Sequence, residues 1–109
     1  MMERLNTLAE VQESLRRHDF VLLYISRPDC GVCLSLLPKI RELEEEFPKM
    51  KVVHVDHAEI PELSSAFTIL SAPAILLFID EKEMLRRAGI ISVDLLKEDL
   101  QKLYTAYFQ

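Results

Sequence analysis

The sequence predicts an α/β fold, a central mixed β-sheet flanked by helices on both faces. Three observations carry this reading. Phe20-Val21-Leu22-Leu23-Tyr24-Ile25 and Ala74-Ile75-Leu76-Leu77-Phe78-Ile79 are short runs apolar on both faces, as strands covered from both sides require. Segments with apolar residues at helical spacing alternate with such runs. The 109 residues are 50% apolar, enough to bury one core without disulfide staples, so residues 1–109 are expected to form a single domain.

Taken in order, Leu5, Leu8, Val11 and Leu15 recur at helical spacing. Thr7-Leu8-Ala9-Glu10 fits a capping box, in which the two side chains satisfy free N–H groups at a helix start. The first element is therefore a helix to about Arg17, followed by the Phe20–Ile25 strand and a turn at Ser26-Arg27-Pro28-Asp29. From Cys33 onward Leu36, Leu37, Ile40, Leu43 and Phe47 make an apolar stripe, with Glu42 to Glu46 supplying most of a solvated face. This helix should start near Cys30 and kink at Pro38, which lacks an N–H and crowds the preceding turn. Val52-Val53-His54-Val55 reads as a strand, and Glu59 to Phe67 as a short helix with Pro61 in its first turn. After the Ala74–Ile79 strand, Asp80-Glu81-Lys82 is a charged turn. Glu83 to Ala88 then returns as an antiparallel edge strand. Ser92 caps a last helix whose core stripe is Leu95, Leu96, Leu100, Leu103 and Tyr107.

The net charge of −5 works against tight binding to phosphate backbones, so no nucleic-acid partner is expected. Arg16-Arg17 and Arg86-Arg87 are isolated pairs and read as solvated positions. The first residues lack the apolar core of a secretory signal, and the longest apolar stretch, Ala72 to Ile79, is too short to span a bilayer. A cytoplasmic protein without membrane contact is the expectation.

The chemistry lies in Cys30-Gly31-Val32-Cys33. A cysteine between a strand and a helix start sits beside unpaired N–H groups and the positive end of the helix dipole, which favours thiolate. The spacing brings Cys33 beneath Cys30 on the first helical turn, with Gly31 easing the tight approach. Cys30 is then the expected nucleophile toward a substrate disulfide, and Cys33, shielded one turn deeper, the group that resolves the mixed disulfide. The same spacing also supplies half of many zinc sites, with His18, His54 and His57 as candidate partners. Burial of both cysteines as small hydrophobes is a third alternative. No metal and no cofactor is the expectation.

These landmarks resemble the thioredoxin family. The strand, the Cys30-Gly31-Val32-Cys33 centre and Pro38 five residues beyond it are similar to the family's Cys-Gly-Pro-Cys centre and its following proline. Ser71-Ala72-Pro73 before a strand resembles the family's cis-proline loop, and Ala88-Gly89 before the Ser92 helix resembles its closing strand and glycine. The resemblance covers Leu5 to Phe108. It implies a thioredoxin fold, a disulfide reductase acting on protein disulfides, and a thioredoxin reductase or other dithiol donor as partner. It also implies that Pro73 is cis and faces the cysteines, and that Ala72 and Pro73, with Gly31 and Val32, contact substrate. A thioredoxin-fold binding module that uses the groove at Ala72-Pro73, with weak or no redox turnover, is the alternative. The chain departs from the family at Asp29, where an aromatic residue usually precedes the first cysteine. It departs again at Tyr24, where the family has a buried strand aspartate, and at about Val52, where the family has a companion lysine. A tyrosine, with an ordinary pKa near ~10, is a poor base at neutral pH. Tyr24 is therefore expected to be a core aromatic, and resolution by Cys33 to draw on water or a substrate group.

Overall fold

The structure, a computed structural model, describes residues 2–109. Its elements are β1 (Glu3–Arg4), α1 (Leu8–Arg17), β2 (Phe20–Ser26), α2 (Gly31–Glu46), β3 (Lys51–Asp56), α3 (Leu63–Ala66), β4 (Ala74–Ile79), β5 (Lys82–Ala88) and α4 (Val93–Tyr107). The strands form one mixed sheet in the order β1-β3-β2-β4-β5. Central β2 runs parallel to β3 and antiparallel to β4, while β1 joins β3 in parallel and β5 joins β4 antiparallel.

Side chains of a strand alternate between faces, and this alternation divides the core in two. Val21, Leu23 and Ile25 of β2 pack with Val53, Val55, Leu76 and Phe78 beneath Val11 and Leu15 of α1 and Leu63 of α3. Phe20, Leu22 and Tyr24 point the other way, with Val52, Ile75 and Leu77, against Leu36, Ile40 and Leu43 of α2 and Leu96 and Leu100 of α4. Helices thus cover both faces.

Local chemistry explains most element ends. Thr7 accepts the Glu10 N–H at 3.1 Å and the Glu10 carboxylate accepts the Thr7 N–H at 3.1 Å, completing the capping box. Ser92 caps α4 by accepting the Leu95 N–H at 3.3 Å. A single helix runs through Pro38, which cannot donate to the carbonyl one turn earlier.

The structure corrects four expectations. Glu3–Arg4 is a strand, paired with Val53 and His54, so Leu5 fills the core from ahead of α1 rather than from within it. The Glu59–Phe67 helix shrinks to Leu63–Ala66. The Asp56 carbonyl accepts both Glu59 and Ile60 N–H groups, at 3.0 and 3.1 Å, winding that stretch into turns before Pro61, which has no N–H to extend a ladder. The β5 strand begins at Lys82, one residue early. Leu95 and Tyr107 are exposed, Leu95 to 60%, and the buried stripe of α4 runs through Leu96 and Leu100.

Candidate active site

Strand β2 ends at Ser26 and a short turn delivers Cys30 to the N-cap of α2. Asp29 takes φ 55° in that turn, a left-handed conformation that aspartate adopts more readily than most residues. Cys30 Sγ accepts the Cys33 backbone N–H at 3.2 Å, occupying the position of a capping oxygen. That donor favours negative charge on Cys30 sulfur. Cys33 stands one helical turn on, its Cα 5.2 Å from that of Cys30, and the two are joined as a disulfide. In this oxidised form they are almost equally covered, 5% and 4% exposed, so exposure does not separate an open Cys30 from a shielded Cys33.

A Cβ on Gly31 would meet nothing within 4 Å, so packing inside the chain does not require glycine there, contrary to the tight-approach expectation. Val32 is half-exposed on the same turn. The Ala72–Pro73 peptide is cis. Ala74 pairs with Ile25, which puts this loop at the sheet end where β2 leads to the cysteines. The Pro73 carbonyl accepts the Gly89 N–H at 2.9 Å, tying the residue after β5 to the same end.

Beneath the cysteines lies a polar cluster built by strand alternation. Tyr24 and Ser26 follow Phe20 and Leu22 on one face of β2, and His54 follows Val52 on the same face of β3, opposite Tyr24 in register. Tyr24 is fully buried, as a core aromatic should be, yet its hydroxyl also donates to the Cys33 carbonyl at 2.5 Å. Burial pushes its pKa up to about 12, so it keeps its proton. The His54 ring stacks on Tyr24 with centroids 5.0 Å apart and holds Ser26 Oγ through Nε2 at 2.7 Å. Burial lowers the pKa of His54, reinforced by the positive charge of Arg4. Tyr24, Ser26, Cys30, Cys33, Leu37 and His54 share a cavity of about 170 Å³. A larger hollow, about 470 Å³, lies at the opposite end of the sheet among His18, Met50 and Lys51, away from the sulfurs.

The zinc alternative does not fit these positions. His57 Nε2 is bonded to Ser64 Oγ at 2.6 Å, and no group of three His, Cys, Asp or Glu side chains among the described residues is arranged to hold a metal ion.

The Thioredoxin family model matches residues 4–102. The chain belongs to the thioredoxin family. It is 34% identical to the thioredoxin-like protein YdfQ of Bacillus subtilis over 106 residues, 97% of this chain and 95% of that one. Among solved structures, a mutant thioredoxin from Halobacterium salinarum is 25% identical with a TM-score of 0.84, over 92% of this chain and 88% of that one. The thioredoxin of Trypanosoma brucei brucei, 17% identical, shares the fold at a TM-score of 0.87 over 96% and 92% of the two chains.

Membership of the thioredoxin family and the joined cysteine pair together make this protein a thiol–disulfide oxidoreductase, and they disfavour the alternative of a binding module with weak or no redox turnover. The family implies protein substrates and thiol or reductase partners in general. Among the described residues no helix is long and apolar enough to cross a membrane.

Motif spacing does not reveal Ser26 or the place of His54 in this thioredoxin-family site. The available signal was alternation: counting by twos from Leu22 and Val52 puts Tyr24, Ser26 and His54 on the α2 face.

Proposed function

We propose that the protein reduces disulfides of other proteins in the cytoplasm, with residues 1–109 acting as one domain. Cys30 thiolate attacks a substrate disulfide, forming a Cys30–substrate bond and releasing one substrate thiolate. Cys33 thiolate then attacks Cys30 sulfur, forming the Cys30–Cys33 disulfide and releasing the second substrate thiolate with its electron pair. The substrate gains two electrons and two protons, and a cellular dithiol, such as that of a thioredoxin reductase, returns the pair to its reduced state.

The observation that carries the assignment of roles is the Cys33 N–H directed at Cys30 Sγ. It favours the thiolate of Cys30 specifically, by charge stabilisation rather than by exposure. The substrate segment is proposed to lie beside Ala72 and Pro73 as an added extended strand, with Gly31 and Val32 on its other side. The open space over Gly31 supports this, and so do the exposed apolar side chains of Val32, Leu34, Leu70 and Ile90 around the cysteine end of the sheet.

Trapping tests the assignment. Cys33→Ser is expected to accumulate a covalent mixed disulfide with a protein substrate through Cys30, released by dithiol reductant, whereas Cys30→Ser accumulates none. Equal trapping by the two variants would reverse or abolish the distinction.

A further inference from the structure

Resolution requires Cys33 as thiolate, and Cys33 is 4% exposed. Cys33 lines the cavity below it, so the groups on the walls of that cavity are placed to take its proton. Tyr24 is committed as a donor to the Cys33 carbonyl and holds its own proton. Arg27, also on the wall, is a permanent cation. Asp29 lies in the turn directly ahead of Cys30, beside the attacking cysteine rather than the resolving one. His54 is the imidazole of the cavity, and imidazole exchanges protons near neutral pH.

Its placement is fixed. The ring is stacked on Tyr24 and anchored at Nε2 by Ser26 Oγ, itself 3.5 Å from the Val55 carbonyl. The charged groups around it come from every neighbouring element: Arg4 of β1, Arg41 of α2, Asp56 of its own strand and Glu59 of the following turn. Arg4 is itself engaged, 3.0 Å from Glu59 and 3.8 Å from Asp56. A water molecule occupies about 30 Å³ in the liquid, so the roughly 170 Å³ cavity has room for a short chain of them between imidazole and sulfur.

We infer that His54 is the proton acceptor for Cys33 in the resolving step, acting through solvent in the cavity that the two side chains share. This inference rests on the exchange chemistry proposed above and adds the route of one proton. Neutral His54 takes the Cys33 proton, and Cys33 thiolate forms the Cys30–Cys33 bond as the Cys30–substrate bond breaks. The departing substrate thiolate carries the electron pair, and imidazolium returns the proton to it or to solvent. Burial and the Arg4 charge hold His54 neutral at pH 7, the accepting form. Tyr24 and Ser26 act as positioning residues, one through the Cys33 carbonyl and the other through the imidazole.

Stopped-flow mixing of reduced protein with one equivalent of a chromogenic aryl disulfide separates the steps. The first release of coloured thiolate reports Cys30 attack, and the second reports resolution by Cys33. In the wild type the second phase should rise with pH as His54 loses its proton, then level through neutrality. In His54→Gln it should slow about a hundredfold, the scale of general base catalysis, and rise in proportion to hydroxide with no plateau. Free imidazole should restore the rate of His54→Ala. An NMR titration of the wild-type His54 ring keeps the test independent of any variant's folding, because its midpoint must coincide with the acid limb of the second phase. A mismatch there, a wild-type profile in folded His54→Gln, or an absence of rescue overturns the role of His54. Absence of any second phase in the wild type would instead overturn the two-cysteine exchange itself.

Discussion

The Tyr24 hydroxyl ends a ring that is fully buried, and it donates to the carbonyl of Cys33, nine residues further along the chain. A buried phenol needs such a partner, which is why burial and hydrogen bonding arise together in this residue. Tyr24→Phe keeps the ring and removes the donor, so the oxidised protein should lose about 1 kcal/mol, read as a lower urea midpoint at unchanged slope. An unchanged midpoint would mean that the bond contributes nothing net. The pH dependence has a definite sign. The folded-state pKa, about 12, lies above the ordinary value of 10.0, so the folded protein holds the proton more tightly than the unfolded chain does. The associated stability is present below pH ~10 and is lost as pH rises toward ~12. Tyr24→Phe should flatten that alkaline decline. Some slope should remain from Tyr107, whose pKa is also raised to about 12, chiefly by its hydrogen bond to Asp80. The sequence shows Tyr24 to be a core aromatic because its neighbours are apolar on both faces. It does not show the hydroxyl's target, because that depends on how the Arg27–Asp29 turn returns the chain across the strand.

Among the elements, those with strong local signals are legible in the sequence and those held by distant partners are not. The capping box at Thr7, the β2 and β4 runs and the Ser92 cap each carry their instructions within a few residues. Glu3–Arg4 has no room to show a period and becomes a strand only because β3 offers it a free edge. The span before α3 carries helical spacing, but Asp56 and Pro61 direct its backbone bonds elsewhere. The β4–β5 turn is also informative. Asp80 and Glu81 both adopt positive φ, 51° and 67°, as the twist of a tight two-residue hairpin demands. Asp80 is held by its N–H to the Asp19 carbonyl at 2.9 Å and by Tyr107, whereas the Glu81 side chain has no hydrogen-bond partner among the described residues. A left-handed residue other than glycine costs roughly 1–2 kcal/mol, while glycine adds roughly 0.5–1 kcal/mol of unfolded-chain entropy. Strain relief exceeds the entropy, so Glu81→Gly should raise stability by up to about 1 kcal/mol, seen as a higher thermal midpoint. A lower midpoint would mean that Glu81 is not strained.

For the molecule as a whole, the cysteines, the Ala72–Pro73 loop and Gly89 gather at one end of the sheet, and exposed apolar side chains ring them. Ile90 is 97% exposed and Leu70 91%, both beside the loop proposed to receive substrate. Covering an isoleucine is worth about 1.5–3 kcal/mol when burial is complete. Ile90→Asp should therefore raise KM for a protein disulfide about tenfold, with a smaller loss toward a small-molecule disulfide. Equal losses on both substrates would point to damage at the cysteines and away from docking. An apolar rim of this kind carries a hazard, since a protein that attracts unfolded or extended segments also attracts its own. The flanks of the sheet limit it. On one side β1 spans only Glu3–Arg4, and on the other β5 sets out Lys82, Glu83, Arg86 and Arg87 along its length. A second copy seeking to extend the sheet meets either too little backbone to pair with or a row of charges it would have to desolvate. The chain can therefore offer a sticky end to its substrates without a flank from which fibrils would grow.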